Sequence, residues 1–260
     1  MLDDPGISAR AVDETGTVEE GFADSMPSAY REAFTSEQIR EHAAISGRRG
    51  DRVSHLELWR KFSDGLLVLS VVADDRAGLL SNICRVFVAH DLEVLSAQIY
   101  CRMRRGLPAE AFDLFWVRPR GTYGPATPFD AKAMELVAAD LDSALYVAAC
   151  STLPPPGAPS HFFGSSTPPR VFFNSSSLRH GKYVLVVEVL DCPGLLLTIS
   201  LALHRAGVQI LGSDVRTEGG LARDCFELAN PSGLAFTAER LAAIRQLVVE
   251  AVRQRIAESA

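Results

Sequence analysis

One six-residue stretch occurs twice in this chain, and its recurrence constrains the fold more than any other feature. Asp75-Arg76-Ala77-Gly78-Leu79-Leu80 returns as Asp191-Cys192-Pro193-Gly194-Leu195-Leu196, 116 residues later. The spacing holds beyond the turn: Ile83 matches Ile199, Leu95 matches Leu211, and Ile99 matches Val215. Asp113-Leu114-Phe115 then matches Asp224-Cys225-Phe226 at a spacing of 111, and the five-residue difference fits a longer hairpin in the first copy. A repeat of this length implies two copies of one structural unit, so function is to be read from that unit.

Periodicity divides the chain further. Residues 1–25 are rich in Asp, Glu, Gly and Ser and read as a disordered tail. Residues 26–64 read as a helical lead-in, with Thr35 or Ser36 as N-cap, followed by an edge strand over Val53 to Phe62. Residues 65–177 form the first unit. Leu66 to Ala73 is a buried strand, and Gly78 to His90 a helix whose Leu79, Leu80, Ile83, Val86 and Phe87 share one face. Strands follow at Glu93 to Arg104 and Ala109 to Arg118, then a helix at Asp130 to Val147. A Pro/Ser-rich loop covers 151–169, and Val171-Phe172-Phe173 supplies a last strand. The second unit, 180–258, repeats this order but ends on its helix, Thr237 to Ile256. Strand, helix, strand, strand, helix, strand is the ferredoxin-like βαββαβ arrangement, so the expected fold is α+β, two such units packed together. The second unit lacks a final strand, and Val53 to Phe62 is expected to cover an open sheet edge, that one being the candidate.

Apolar residues make up 47% of the 260, enough for two cores, and the formal net charge of -6 weighs against binding nucleic acid. Arg102, Arg104 and Arg105 read as a solvated hairpin tip. No apolar stretch approaches the ~20 residues of a membrane span, and the acidic first residues differ from a signal peptide. The five cysteines are scattered, which supports neither a disulfide framework nor a zinc site. The expected setting is a reducing cytoplasm, with no nucleic-acid or membrane partner and no cofactor.

The repeated turn carries the candidate chemistry. Gly78 and Gly194 let the backbone turn sharply, and the helix that follows presents N–H groups and a partial positive charge to a carboxylate. Asp75 and Asp191 offer a negative charge to an ammonium. Both together suit a free α-amino acid. Ser81 and Asn82 could add polar contacts in copy one, and Thr198 and Ser200 in copy two. Asp before a helix is also an ordinary cap and Gly an ordinary turn residue, so a purely structural role stays open. Asp113 and Asp224 read only as markers of the outward face of their strands.

Asp75-Arg76-Ala77-Gly78-Leu79-Leu80 and Asp191-Cys192-Pro193-Gly194-Leu195-Leu196 resemble the D-R-P-G-L-L signature of ACT domains, βαββαβ modules that bind small ligands and regulate metabolism. Residues 66–117, Pro168-Pro169-Arg170-Val171-Phe172-Phe173-Asn174 and 183–228 are similar to the C-terminal tandem ACT region of bifunctional PII uridylyltransferase/uridylyl-removing enzymes. Leu95 to Tyr100, Asp113-Leu114-Phe115, Pro27 to Tyr30 and Phe34 to Ile39 add to the likeness. The resemblance implies a sensor of nitrogen status, with a free amino acid, glutamine favoured, as ligand. It would meet Asp75, Arg76, Ala77, Gly78 and Leu79 in copy one, and Asp191, Cys192, Pro193, Gly194 and Leu195 in copy two. Ala77 and Cys192 depart from the signature. Copy one keeps the Arg and is the preferred site.

The catalytic parts of the resembled enzymes are missing. There is no Gly-Ser turn followed by paired acidic metal ligands, and the phosphohydrolase's His-Asp pair is absent; the six histidines are dispersed, and only His42 after Glu41 and His90 before Asp91 neighbour an acid. His90, at a helix end, reads as structural. The expected function is therefore a non-catalytic, amino-acid-binding regulator acting on a protein partner or within a homo-oligomer. The alternatives are an interaction module without ligand, or a remnant of a uridylyltransferase acting with a partner.

Overall fold

The computed structural model describes residues 21–121, 128–150 and 168–259. They form an α+β fold with one eight-stranded antiparallel sheet. Helices α1 (Ser28–Ala33) and α2 (Ser36–Arg49) come first, then β1 (Ser54–Lys61), β2 (Leu67–Asp74), α3 (Leu79–Ala89), β3 (Leu92–Arg102), β4 (Glu110–Pro119) and α4 (Ala131–Cys150). The remainder is β5 (Arg170–Phe173), α5 (Ser175–Arg179), β6 (Tyr183–Leu190), α6 (Leu195–Arg205), β7 (Gln209–Glu218), β8 (Leu221–Ala229) and α7 (Ala238–Ser259).

The sheet order is β1-β2-β4-β3-β7-β8-β6-β5. The two repeated halves meet at β3 and β7, where Ser96 to Tyr100 pair antiparallel with Arg216 to Gly212 and the Ser96 hydroxyl donates to the Val215 carbonyl at 2.6 Å. Helices α3, α4, α6 and α7 cover one face, and a continuous apolar core beneath them joins both halves through residues such as Ile83, Phe115, Ile199 and Phe226.

Both edge strands differ from expectation. Val171 to Phe173, expected to finish the first copy, pairs with β6 of the second. Strand β1, assigned to the second copy's open edge, pairs with β2 of the first instead. The reason is order along the chain. A short connection after β1 folds it directly onto β2, and the edge left at β6 is covered by β5, whose Arg170 also pairs with Glu188 at 2.8 Å.

The continuous apolar run of β2 is explained by burial on both sides. Leu67, Leu69, Val71 and Ala73 face the four helices, while Val68 and Val72 join a second cluster with Phe22, Met26, Tyr30 and Phe112 under α1 and α2. Thr35 begins α2 as a capping box with Gln38. Residues 21–25, placed in the disordered tail by sequence, are helical and bury Phe22. The expectation for residues 1–20 lies outside the described residues, as does that for 151–167. His42 sits inside this cluster with Nδ1 2.7 Å from the Tyr30 hydroxyl, and burial pushes its pKa down to about 4.

The Arg102 and Arg104 side chains are not a solvated tip. They reach back to the buried Glu110 carboxylate, Arg102 at 2.6 Å and Arg104 at 3.0 Å. Arg49 of α2 completes the set at 3.1 Å, and the Ser46 hydroxyl donates to the same carboxylate at 2.8 Å. Arg105 is exposed. The network ties α2 to the end of the sheet beside the first repeated turn.

Candidate functional site

Each repeated turn leaves an inner strand of its half, β2 or β6, and enters a helix. Gly78 (φ 82°) and Gly194 (φ 77°) both adopt the left-handed conformation, which explains why glycine stands at both positions. The two turns share their bonding. Asp75 N–H donates to the Ala109 carbonyl at 2.8 Å, and Asp191 N–H to that of Gly220 at 2.9 Å. Leu79 and Leu195 N–H groups donate to Arg76 and Cys192 carbonyls, each at 3.1 Å. No side chain caps either helix N-terminus. Ser81 and Asn82, candidates for ligand contacts, instead donate to the Gly78 carbonyl at 2.8 and 2.9 Å. Ser200 similarly donates to the Leu197 carbonyl at 3.0 Å.

The antiparallel seam brings each turn against the opposite half, but the two junctions are unequal. At the first turn the imidazole of His204, from α6, lies close against Gly78: a Cβ there would meet its Cε1 at 2.6 Å. The space left is about 20 Å³, room for about one water. Asp75, Arg76, Gly78 and Leu79 border it, and Ala77 does not. The side-chain amide of Gln209 crosses from the second half and donates to Asp75 at 2.9 Å. Copy one, preferred by sequence because it keeps the Arg, is thus filled by protein atoms.

At the second turn the repeat spacing puts Val88 in the place of His204 and Glu93 in the place of Gln209. Here a cavity of about 230 Å³ opens. Asp191, Cys192, Pro193, Gly194 and Leu195 all line it, with Cys84, Val88 and Glu93 from the first half facing them. The Thr217 hydroxyl holds Asp191 at 3.0 Å. Arg255, from α7, donates its Nε to the Pro193 carbonyl at 2.7 Å and passes over Gly194.

Arg76 and Arg255 explain the substitution at Cys192. In copy one, Arg76 leaves the turn and donates to the Leu145 carbonyl of α4. In copy two the guanidinium comes from the final helix and bonds the turn. The link between turn and helix exists in both halves, with donor and acceptor sides exchanged. Cys192 is part-buried, and burial raises its thiol pKa.

Asp113 and Asp224 point inward. Residues two apart in a strand share a face, so each aspartate lies on the same side as Phe115 or Phe226, in the core. Each is 1% exposed. Burial, reinforced by the charge of Asp191, raises the Asp224 pKa to about 7, and burial with the charge of Asp75 raises that of Asp113 well above the ordinary value. Asp224 borders the open cavity, and its Oδ1 has no hydrogen-bond partner. Asp113 borders the closed one.

His90 binds Asp140 at 2.8 Å across α3 and α4, a structural contact. Among the described residues no group of three or more His, Cys, Asp or Glu is placed to hold a metal ion, and no helix is long and apolar enough to cross a membrane. Sequence reasoning missed Arg255, His204, Gln209 and Glu93. The repeat spacing carried a signal for the last three, since each unit's partner residues recur at 116; Arg255 had none.

No model of a known protein family matches the chain, and no curated protein matches it. A solved structure described as an unknown protein from Galdieria sulphuraria aligns over 70% of this chain and 91% of its own, at 20% identity and a TM-score of 0.22, too low to carry an argument about fold or function.

Proposed function

We propose that the chain is a non-catalytic regulatory protein that binds a free α-amino acid between two ferredoxin-like units of the ACT type. The observation that carries this reading is the cavity of about 230 Å³ at the second turn, lined from both halves. It combines an uncapped helix N-terminus and a guanidinium, suited to a carboxylate, with Asp191, suited to an ammonium. The duplicated turn and the resemblance of its residues to the ACT signature support the same reading. A ligand there touches Leu195 on one side and Glu93 on the other, so it favours one arrangement of the halves by the difference in its affinity for the alternatives. The output passes to a protein partner or to another copy of the chain.

Thermal unfolding against the free amino acids, glutamine included, tests this. Binding to the folded state at a hundredfold excess over Kd adds about 2.7 kcal/mol of stability. A shift that Asp191→Ala removes supports the reading. A flat response to every amino acid overturns it and favours an interaction module, a second reading to which the His204-filled first turn lends weight.

A further inference from the structure

We infer that the open cavity selects an α-amino acid whose side chain carries a second positive charge. This rests on the amino-acid reading above and specifies the ligand's class. Four carboxylates border the cavity, those of Asp91, Glu93, Asp191 and Asp224, against the two guanidiniums of Arg120 and Arg255. Both guanidiniums are shared. Arg120 pairs with Glu93, while Arg255 is bonded to Pro193 and lies 3.5 Å from Glu258. With its acids ionised the lining is negative by two charges.

The closed junction shows what the open one lacks. There, Gln209 donates an amide hydrogen to Asp75 across the seam. In the open junction the corresponding residue is Glu93, which has no proton to give, so two carboxylates border the same space. The α-ammonium of a ligand supplies the missing donor for Asp191. That leaves Asp224, 1% exposed, bordering the same cavity with Oδ1 unpartnered. A buried carboxylate is satisfied by a cation or a hydrogen-bond donor. An ammonium or guanidinium on the ligand's side chain fills that place, while its α-carboxylate faces the uncapped N-terminus of α6 at Gly194. Such a ligand has two positive charges and one negative and offsets part of the lining's charge. Glutamine offers a neutral amide and leaves it in place.

Calorimetry and thermal unfolding of the full chain with ornithine, lysine, arginine, glutamine, norleucine and putrescine test the inference. At least one of the three basic amino acids is expected to bind tenfold or more tightly than glutamine and norleucine. Putrescine, lacking the carboxylate, is expected to bind more weakly than ornithine. Asp224→Asn should cut the preference for the basic side chain to threefold or less, while Asp113→Asn, at the closed junction, leaves it unchanged. If Asp224→Asn fails to fold, Glu93→Gln serves as a second variant, and its Kd for the basic ligand should rise at least threefold. Glutamine or norleucine binding as tightly as the basic amino acids would overturn the inference and leave the amino-acid reading standing. An unaltered preference in Asp224→Asn would do the same. Putrescine equal to ornithine would overturn the carboxylate part, and no binding by any amino acid would sink both.

Discussion

The Nε of Arg255 donates to the carbonyl of Pro193 at 2.7 Å, linking the last helix to a turn that has Cys192 where the first copy has Arg76. The first copy makes the reverse link, from Arg76 to the Leu145 carbonyl. A hydrogen bond from a charged donor contributes about 1.5–3 kcal/mol when sheltered from water. Arg76→Ala is therefore expected to lower stability by about that amount in urea unfolding. The Arg255 bond is more exposed, so Arg255→Ala should cost less, about 0.5–1.5 kcal/mol. Cys192→Ala should cost little, which equilibrium unfolding of the three variants will rank.

His204 and Gly78 form a close-packed pair, and their coupling can be measured without any ligand. Gly78→Ala meets two penalties: a side chain at φ 82°, about 1–2 kcal/mol, and a Cβ pressed into the imidazole. In a His204→Ala background only the first remains. A double-mutant cycle should give a coupling of about 1–3 kcal/mol. At Gly194 no side-chain atom comes nearer than 3.6 Å to the position a Cβ would take, so Gly194→Ala should show only the conformational penalty.

The double substitution His204→Val with Gln209→Glu gives the first turn the residues that the second has at Val88 and Glu93. It should open the filled junction, raising binding stoichiometry from one to two for any amino acid that stabilises the parent protein. Isothermal calorimetry reads the number directly. A stoichiometry fixed at one would show that removing the imidazole and the amide does not free the site.

Asp224 gives the protein a pH dependence of known sign. Its carboxyl titrates near 7 in the folded chain and near 3.8 when unfolded. Its contribution to stability is full below about 3.8 and declines as pH rises to about 7, by up to about 1.4 kcal/mol per unit, then levels. His42 acts oppositely: its neutral burial contributes above 6.5 and is lost as pH falls toward about 4. The His42 effect cancels when variant and parent are compared. Asp224→Asn should therefore gain stability relative to the parent as pH is raised from 4 to 7, and denaturant titrations at those pH values will show it.

Glu110 is 2% exposed and accepts from Arg49, Arg102 and Arg104. Removing one partner of a buried ionic set leaves charges unpaired, so Glu110→Ala should cost about 3–5 kcal/mol. Deleting residues 1–62 removes the cover over Phe112 and Val72 and frees the β2 edge, so the shortened chain should aggregate on size-exclusion chromatography. An unaltered elution volume and melting temperature would contradict the cap role of β1 and α2.

The sequence by itself determined the repeat, the order of strands and helices, and the glycines of the two turns. These are local properties. A helix face recurs every three or four residues, as Leu79, Leu80 and Ile83 do, and a left-handed turn needs Gly78 wherever the rest of the chain lies. It also held the correspondence of Asp113 with Asp224 and the face each shares with Phe115 or Phe226, two residues on; how completely that face buries a carboxylate depends on what packs over the strand. The tertiary structure decided which sheet edge each of β1 and β5 covers, and which turn stands open. His204, Gln209 and Arg255 come from segments 62 to 134 residues away from the turns they meet. Their effects exist only once the antiparallel seam between β3 and β7 brings the two halves together, so no local pattern could announce that the copy retaining its arginine would be the one filled by an imidazole.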